Sequence, residues 1–103
     1  MEELKNKIQD TIQKIDAVVE LFYQQKNQEA YTQLEPVLIE MMNTIDGIFA
    51  YKAEHEEFEM DEAGLAEVLK TTLSAMEDKD AILMADILKY DVIEKFEGIC
   101  GNL

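Results

Sequence analysis

Tyr31-Thr32-Gln33-Leu34-Glu35-Pro36-Val37-Leu38-Ile39-Glu40-Met41-Met42-Asn43-Thr44-Ile45-Asp46-Gly47-Ile48 is the stretch on which the fold turns. Its apolar residues Tyr31, Leu34, Leu38, Met41, Ile45 and Ile48 are separated by three, four, three, four and three positions. That spacing lays one stripe along a helix and is the most regular heptad pattern in the chain. Pro36 interrupts it, since proline removes a backbone donor and crowds the preceding turn. Either the helix bends there or it begins there, and the unbroken stripe from Tyr31 favours a bend. Asn27, just ahead, is suited to cap the first turn with its side-chain oxygen. Gly47 lies beside the stripe, where a glycine suggests a close helix–helix approach.

The same period continues outward in both directions. Upstream, Leu4, Ile8, Ile12, Ile15, Val19 and Phe22 form a stripe, predicting a first helix over about residues 2–26 that ends in the polar run Gln24-Gln25-Lys26-Asn27. Downstream, residues 54–62 hold six acids, one histidine and no lysine, which reads as a solvated connection with a fraying helix end near Glu57. Asp61 is placed to cap a third helix with the stripe Leu65, Leu69, Leu73 and Met76. Asp78 is placed to cap a fourth, running to about Ile99, with Gly98 and Gly101 as helix stops. Nothing alternates with period two. The prediction is an all-α four-helix bundle in one domain, residues 1–103, made of hairpin 1 (about 2–57) and hairpin 2 (about 61–100).

The two hairpins align at an offset of 51 residues: Asn27 with Asp78, Ala30 with Ala81, Val37 with Leu88, Met41 with Val92, Ile45 with Phe96, Phe22 with Leu73. An internal αα repeat accounts for this, and so does coincidence among amphipathic helices.

Composition excludes several classes of function. The 103 residues carry 23 acids against nine bases, net charge −14, and all nine bases are lysine. Such a chain is repelled by nucleic acid and by anionic lipid, and it lacks the arginine fork that grips phosphate. Its hydrophobic share of 48% is ample for a core, which must be aliphatic because aromatics are few: four Phe, four Tyr and no Trp. The lone Cys100 admits no intrachain disulfide. No signal peptide is recognisable and no apolar run approaches a membrane span, so the expected location is cytoplasmic.

Chemistry is equally sparse. His55 sits among Glu54, Glu56, Glu57 and Glu59, a superficially metal-like cluster, yet carboxylate-bridged di-metal bundles need a histidine from each of two helices. Ser74 and Cys100 have no base beside them in sequence, and nucleophilic catalysis needs one. The four glycines are dispersed, so no phosphate loop exists. No catalytic residue, metal or cofactor is expected.

The fourth helix is the informative one. Ala81, Ala85, Leu88, Val92, Phe96 and Ile99 make a stripe sufficient to face a core. Leu83, Ile87 and Tyr90 make a second, with Asp86 within it and Lys89 alongside. An apolar surface that wide is either central to the bundle or covered by something else. Asp86 needs a partner in such surroundings. Leu83, Asp86, Ile87 and Tyr90 are therefore the candidate protein-contact residues.

The segment Met84-Ala85-Asp86-Ile87-Leu88-Lys89-Tyr90-Asp91 resembles a small helical bacterial family of unknown function. That family's C-terminal pattern is leucine-alanine-aspartate, two aliphatics, any residue, tyrosine and an acid. The earlier half, a long helix followed by an Asn-containing turn, is similar too. Family tails place a proline after the motif where this chain has Glu94. The resemblance implies a setting alongside motility and surface-glycosylation proteins. Two functions follow as expectations. The first is a non-catalytic interaction module, adaptor- or chaperone-like, that binds a protein partner or forms a homodimer. The second is a small enzyme or ligand-binding bundle with an acidic pocket.

Overall fold

Helical periodicity becomes helix along nearly the whole chain. The structure, a computed structural model, describes residues 2–103. It contains α1 (Glu2–Tyr23), α2 (Asn27–Glu54), α3 (Glu62–Asp78) and a fourth rod composed of α4 (Ala81–Asp86), a π-helical stretch (Ile87–Val92) and α5 (Ile93–Gly101). No strand occurs among the described residues. The fold is an all-α bundle of two hairpins, α1–α2 and α3 with the fourth rod.

Contacts along the helices fix their directions. Lys14 bonds Glu40 at 2.8 Å, Thr11 bonds Thr44 at 2.8 Å, and the rings of Phe22 and Tyr31 meet edge to face at 5.0 Å. The number falls on one helix as it rises on the other, so α1 and α2 are antiparallel. Lys89–Asp16 at 3.6 Å and Tyr23–Asp86 at 3.0 Å show the same for α1 and the fourth rod. α1 is the central helix, packed on α2 and on every segment of the fourth rod, while α3 packs substantially only on α4 and the π-helical stretch. α2, 28 residues long, would measure about 42 Å at 1.5 Å per residue, matching the 42 Å long axis of the molecule.

The core is the aliphatic one that composition demands. Ile8, Ile15, Leu34, Met41, Ile48, Met84 and Leu88 are fully buried around Phe22 and Phe96. One polar pair lies inside it: Thr11 Oγ1 donates to the Lys7 carbonyl and so accepts from Thr44 Oγ1.

Pro36 lies inside α2, so the helix runs through it as the unbroken stripe from Tyr31 favoured. Several other expectations are corrected. Asn27 is the first helical residue of α2 and not its cap; Lys26 precedes it and makes no side-chain cap bond. Helix 1 stops at Tyr23 because Gln25 turns left-handed, at φ 62°, letting the Lys26 N–H reach the Leu21 carbonyl and the Gln25 N–H the Phe22 carbonyl. A left-handed residue also ends α3 at Asp78, where Lys79 at φ 53° gives its N–H to the Met76 carbonyl. The cap of α4 is therefore Asp80, whose side chain accepts from the Leu83 N–H at 3.1 Å. Gly98 lies inside α5 and Gly101 is its last residue, so Gly98 stops nothing. On α3 the buried line is Leu65, Thr72 and Ala75 with Val68 half-buried between them, and Leu73 points outward. Asp61 caps α3 as expected, accepting from Gly64 N–H at 2.9 Å.

The acidic connection is a built corner. Phe58 is buried and meets Tyr51 edge to face, Tyr51 stacks on His55 at 4.0 Å, and Lys52 Nζ donates to the carbonyls of Glu56 and Phe58. The offset of 51 survives in the burial pattern of the second helices, since Val37, Met41, Ile45 and Ile48 are buried like Leu88, Val92, Phe96 and Ile99. It fails at the caps, where Asn27 and Asp78 occupy different places.

Candidate functional site

The four residues picked from sequence do not share one environment. Ile87 is 5% exposed and belongs to the core, whereas Leu83 is 43% and Tyr90 60% exposed. Asp86 is also exposed. Ile87 opens the π-helical stretch, where bonding reaches five residues back. Ile87 stands one turn after Met84 and Val92 one turn after Leu88, and all four are buried.

What remains outside is a coherent face. Ile82, 63% exposed, precedes Leu83, and Asp86 and Tyr90 follow at one-turn intervals from Ile82. From α1, the Tyr23 hydroxyl donates to Asp86 Oδ1 at 3.0 Å. Tyr23 is itself exposed and lies near Tyr90. Loss of hydration, then the bond to Asp86, then the negative charges of Asp86 and Glu20 raise the Tyr23 hydroxyl above its usual range. Lys89 pairs with Asp16 at 3.6 Å across the same helix pair. The candidate surface thus holds two tyrosines and two aliphatics around a carboxylate whose position is fixed by a bond from another helix. Sequence reasoning missed Ile82 and Tyr23. Ile82 stands one turn from Asp86 and could have been read from spacing; Tyr23 gave no signal, being 63 residues from its partner.

Tyr90 also borders an open groove of about 390 Å³ whose walls include Met60, Asp61, Val68, Asp91, Glu94 and Lys95. Lys95 Nζ bonds Asp61 Oδ2 at 3.0 Å. The Gly64 N–H, and after it Lys95, holds the Asp61 carboxyl below the usual carboxylate range.

The reactive side chains stand on separate elements. His55 is stacked on Tyr51 at the end of α2, Ser74 is exposed on α3, and Cys100 is buried in α5 with its Sγ 4.0 Å from the Lys5 carbonyl. Among the described residues no three His, Cys, Asp or Glu side chains are grouped to hold a metal ion. No helix among them is long and apolar enough to cross a membrane.

Fold and surface together define an acidic all-α bundle with an exposed aromatic and aliphatic face on its last rod. The chain belongs to the family described as a domain of unknown function (DUF8042), whose model matches residues 1–101. No curated protein and no solved structure matches the chain.

Proposed function

We propose that the chain is a non-catalytic helical interaction module, of adaptor or chaperone kind, that holds a protein partner on the face formed by Tyr23, Ile82, Leu83, Asp86 and Tyr90. The observation that carries this is the pairing of exposed Leu83 and Tyr90 with a carboxylate fixed between two helices. Contiguous apolar surface on a small domain marks a place of contact. Tyrosine is enriched at the centres of interfaces, where its ring is covered and its hydroxyl remains bonded. Asp86 would enter such a contact already oriented by Tyr23, which lowers the ordering cost of binding.

A homodimer on this face is the competing arrangement, and the net charge of −14 opposes it. The reading as a small enzyme or ligand-binding bundle would use the groove beside Tyr90, with Asp61, Asp91 and Glu94 on its walls. The resemblance of Met84–Asp91 makes motility or surface-glycosylation proteins the place to seek the partner.

The test is site-specific crosslinking. A photoreactive residue at Tyr90 in host cells is expected to yield one dominant adduct with another protein, lost when Leu83→Glu is added. Adduct formation that ignores Leu83→Glu, or none at all alongside a monomeric sedimentation profile, overturns the proposal. An adduct of twice the chain mass identifies the homodimer instead.

A further inference from the structure

We infer that α2 carries a second docking seam, separate from the face proposed above, and that its occupant is a basic amphipathic helix from another protein. Glu35, Ile39, Met42, Asp46, Phe49 and Ala53 succeed one another at steps of four, three, four, three and four. That is the period of a coiled-coil seam. It runs one residue out of step with the core seam of the same helix, Leu34, Leu38, Met41, Ile45 and Ile48, all buried. The outer seam faces solvent, with Ile39 58%, Met42 52% and Phe49 38% exposed. A helix that keeps heptad order on an unburied side presents the holes a second helix would fill. From Glu35 to Ala53 the seam is about 27 Å long at 1.5 Å per residue, matching a partner helix of about 18 residues.

Charge selects the occupant. α2 holds Glu29, Glu35, Glu40, Asp46 and Glu54 against one base, Lys52. Lys52 is committed to the carbonyls of Glu56 and Phe58, and Glu40 is paired with Lys14. Glu35 and Asp46, the two acids inside the outer seam, are in no ion pair among the described residues. A second copy of this chain brings no lysine on that seam, so a symmetric pair would bury these carboxylates against Ile39 and Phe49 uncompensated. A helix with leucines at the contact positions and lysines or arginines beside them covers the apolar residues and meets both acids.

The probe is a synthetic 21-residue helix with leucine at both seam positions of each heptad and lysine elsewhere. Its counterpart replaces every lysine with glutamate. Fluorescence anisotropy near physiological salt is expected to show the lysine peptide binding the intact protein and the glutamate peptide not binding. The paired change Ile39→Gln with Met42→Gln should weaken binding at least tenfold without altering the dichroism spectrum, since both side chains are exposed. Glu35→Gln with Asp46→Asn should weaken it and flatten its salt dependence. Leu83→Gln with Tyr90→Gln should leave it unchanged, which keeps this seam distinct from the fourth-rod face. Failure of the wild type to bind, indifference to Ile39→Gln with Met42→Gln, or loss on Leu83→Gln with Tyr90→Gln overturns the inference. A wild-type dimer dissolved by Met42→Gln would put a second copy on the seam and overturns it equally.

Discussion

The hydroxyl of Tyr23 donates to Asp86 at 3.0 Å, tying the last residue of α1 to the last residue of α4 across the face proposed for contact. Because the bond is exposed, Tyr23→Phe is expected to cost no more than about 1 kcal/mol. Its distinctive mark is at high pH. The folded Tyr23 holds its proton more tightly than the unfolded chain does, so its contribution is fully present below the ordinary tyrosine pKa of 10.0 and is lost as pH rises through the folded value. Melting temperatures of the wild type should therefore fall more steeply above pH 10 than those of Tyr23→Phe. Parallel alkaline limbs would show that the bond does not persist in solution.

Thr11 and Thr44 make a sharper prediction because they are buried. Thr44 donates to Thr11, and Thr11 donates onward to the Lys7 carbonyl. Thr44→Val removes a donor while Thr11 keeps its bond, and should cost about 1 kcal/mol. Thr11→Val takes the acceptor from a buried hydroxyl and should cost about 1–3 kcal/mol. The double valine variant strands no polar group, so it should be less destabilised than the sum of the two. Additive losses in denaturant melts would refute the chain of donors.

These residues also show what sequence could and could not reveal. The core seam of α2 was legible because burial imposes its period on a helix, and Asp61 was legible as a cap because an acid stood three residues ahead of the Gly64 N–H. The turns at Gln25 and Lys79 were not, since both adopt a left-handed conformation that glycine or asparagine would have announced. Without that signal the sequence points to Asn27 and Asp78 as the caps. Ile87 shares the buried side of Met84, three residues before it, and which side of the rod is covered depends on where α1 and α3 pack. Of the candidate site, Leu83 and Tyr90 could be read from spacing, while the bond from Tyr23 depends on which helices become neighbours.

The division between Ile87 and its neighbours can be measured directly. Ile87→Glu places a carboxylate where 5% of the residue is accessible, and should destabilise on the order of 3–5 kcal/mol or prevent folding. Leu83→Glu and Tyr90→Glu, on the exposed face, should stay within about 0.5 kcal/mol of wild type. A thermal melt of each variant decides. Equal loss at all three would mean that the whole second stripe is internal.

Gly47 was expected at a tight helix crossing, and the geometry corrects this. A Cβ built there would meet Leu4 Cδ1 at 3.5 Å, an ordinary contact, and at Gly98 it would meet nothing within 4 Å. Neither glycine adopts a positive φ. Alanine at either site should therefore raise stability, by about 0.5–1 kcal/mol, through the lower backbone entropy of the unfolded chain. Denaturant midpoints are the readout, and a fall for Gly47→Ala would restore the close-approach reading.

Gly64 is the glycine with the least room for a side chain. A Cβ there would fall 2.1 Å from Asp61 Oδ2 and 2.7 Å from Lys95 Nζ, so alanine must displace the carboxylate that caps α3 or the lysine bound to it. Gly64→Ala should then perturb the cap enough to offset alanine's better helix propensity, so that it gains less stability than Gly47→Ala. Acid titration supplies the independent check. The folded Asp61 carboxyl lies below its ordinary value of 3.8. Its stabilisation is therefore present above that value and is lost as pH falls through the folded one. In Gly64→Ala that part of the acid limb should become shallower, because the Gly64 N–H bond is the largest cause of the lowering. A Gly64→Ala variant that gains as much stability as Gly47→Ala, with an unchanged acid limb, would show that Asp61 and Lys95 yield without losing the cap.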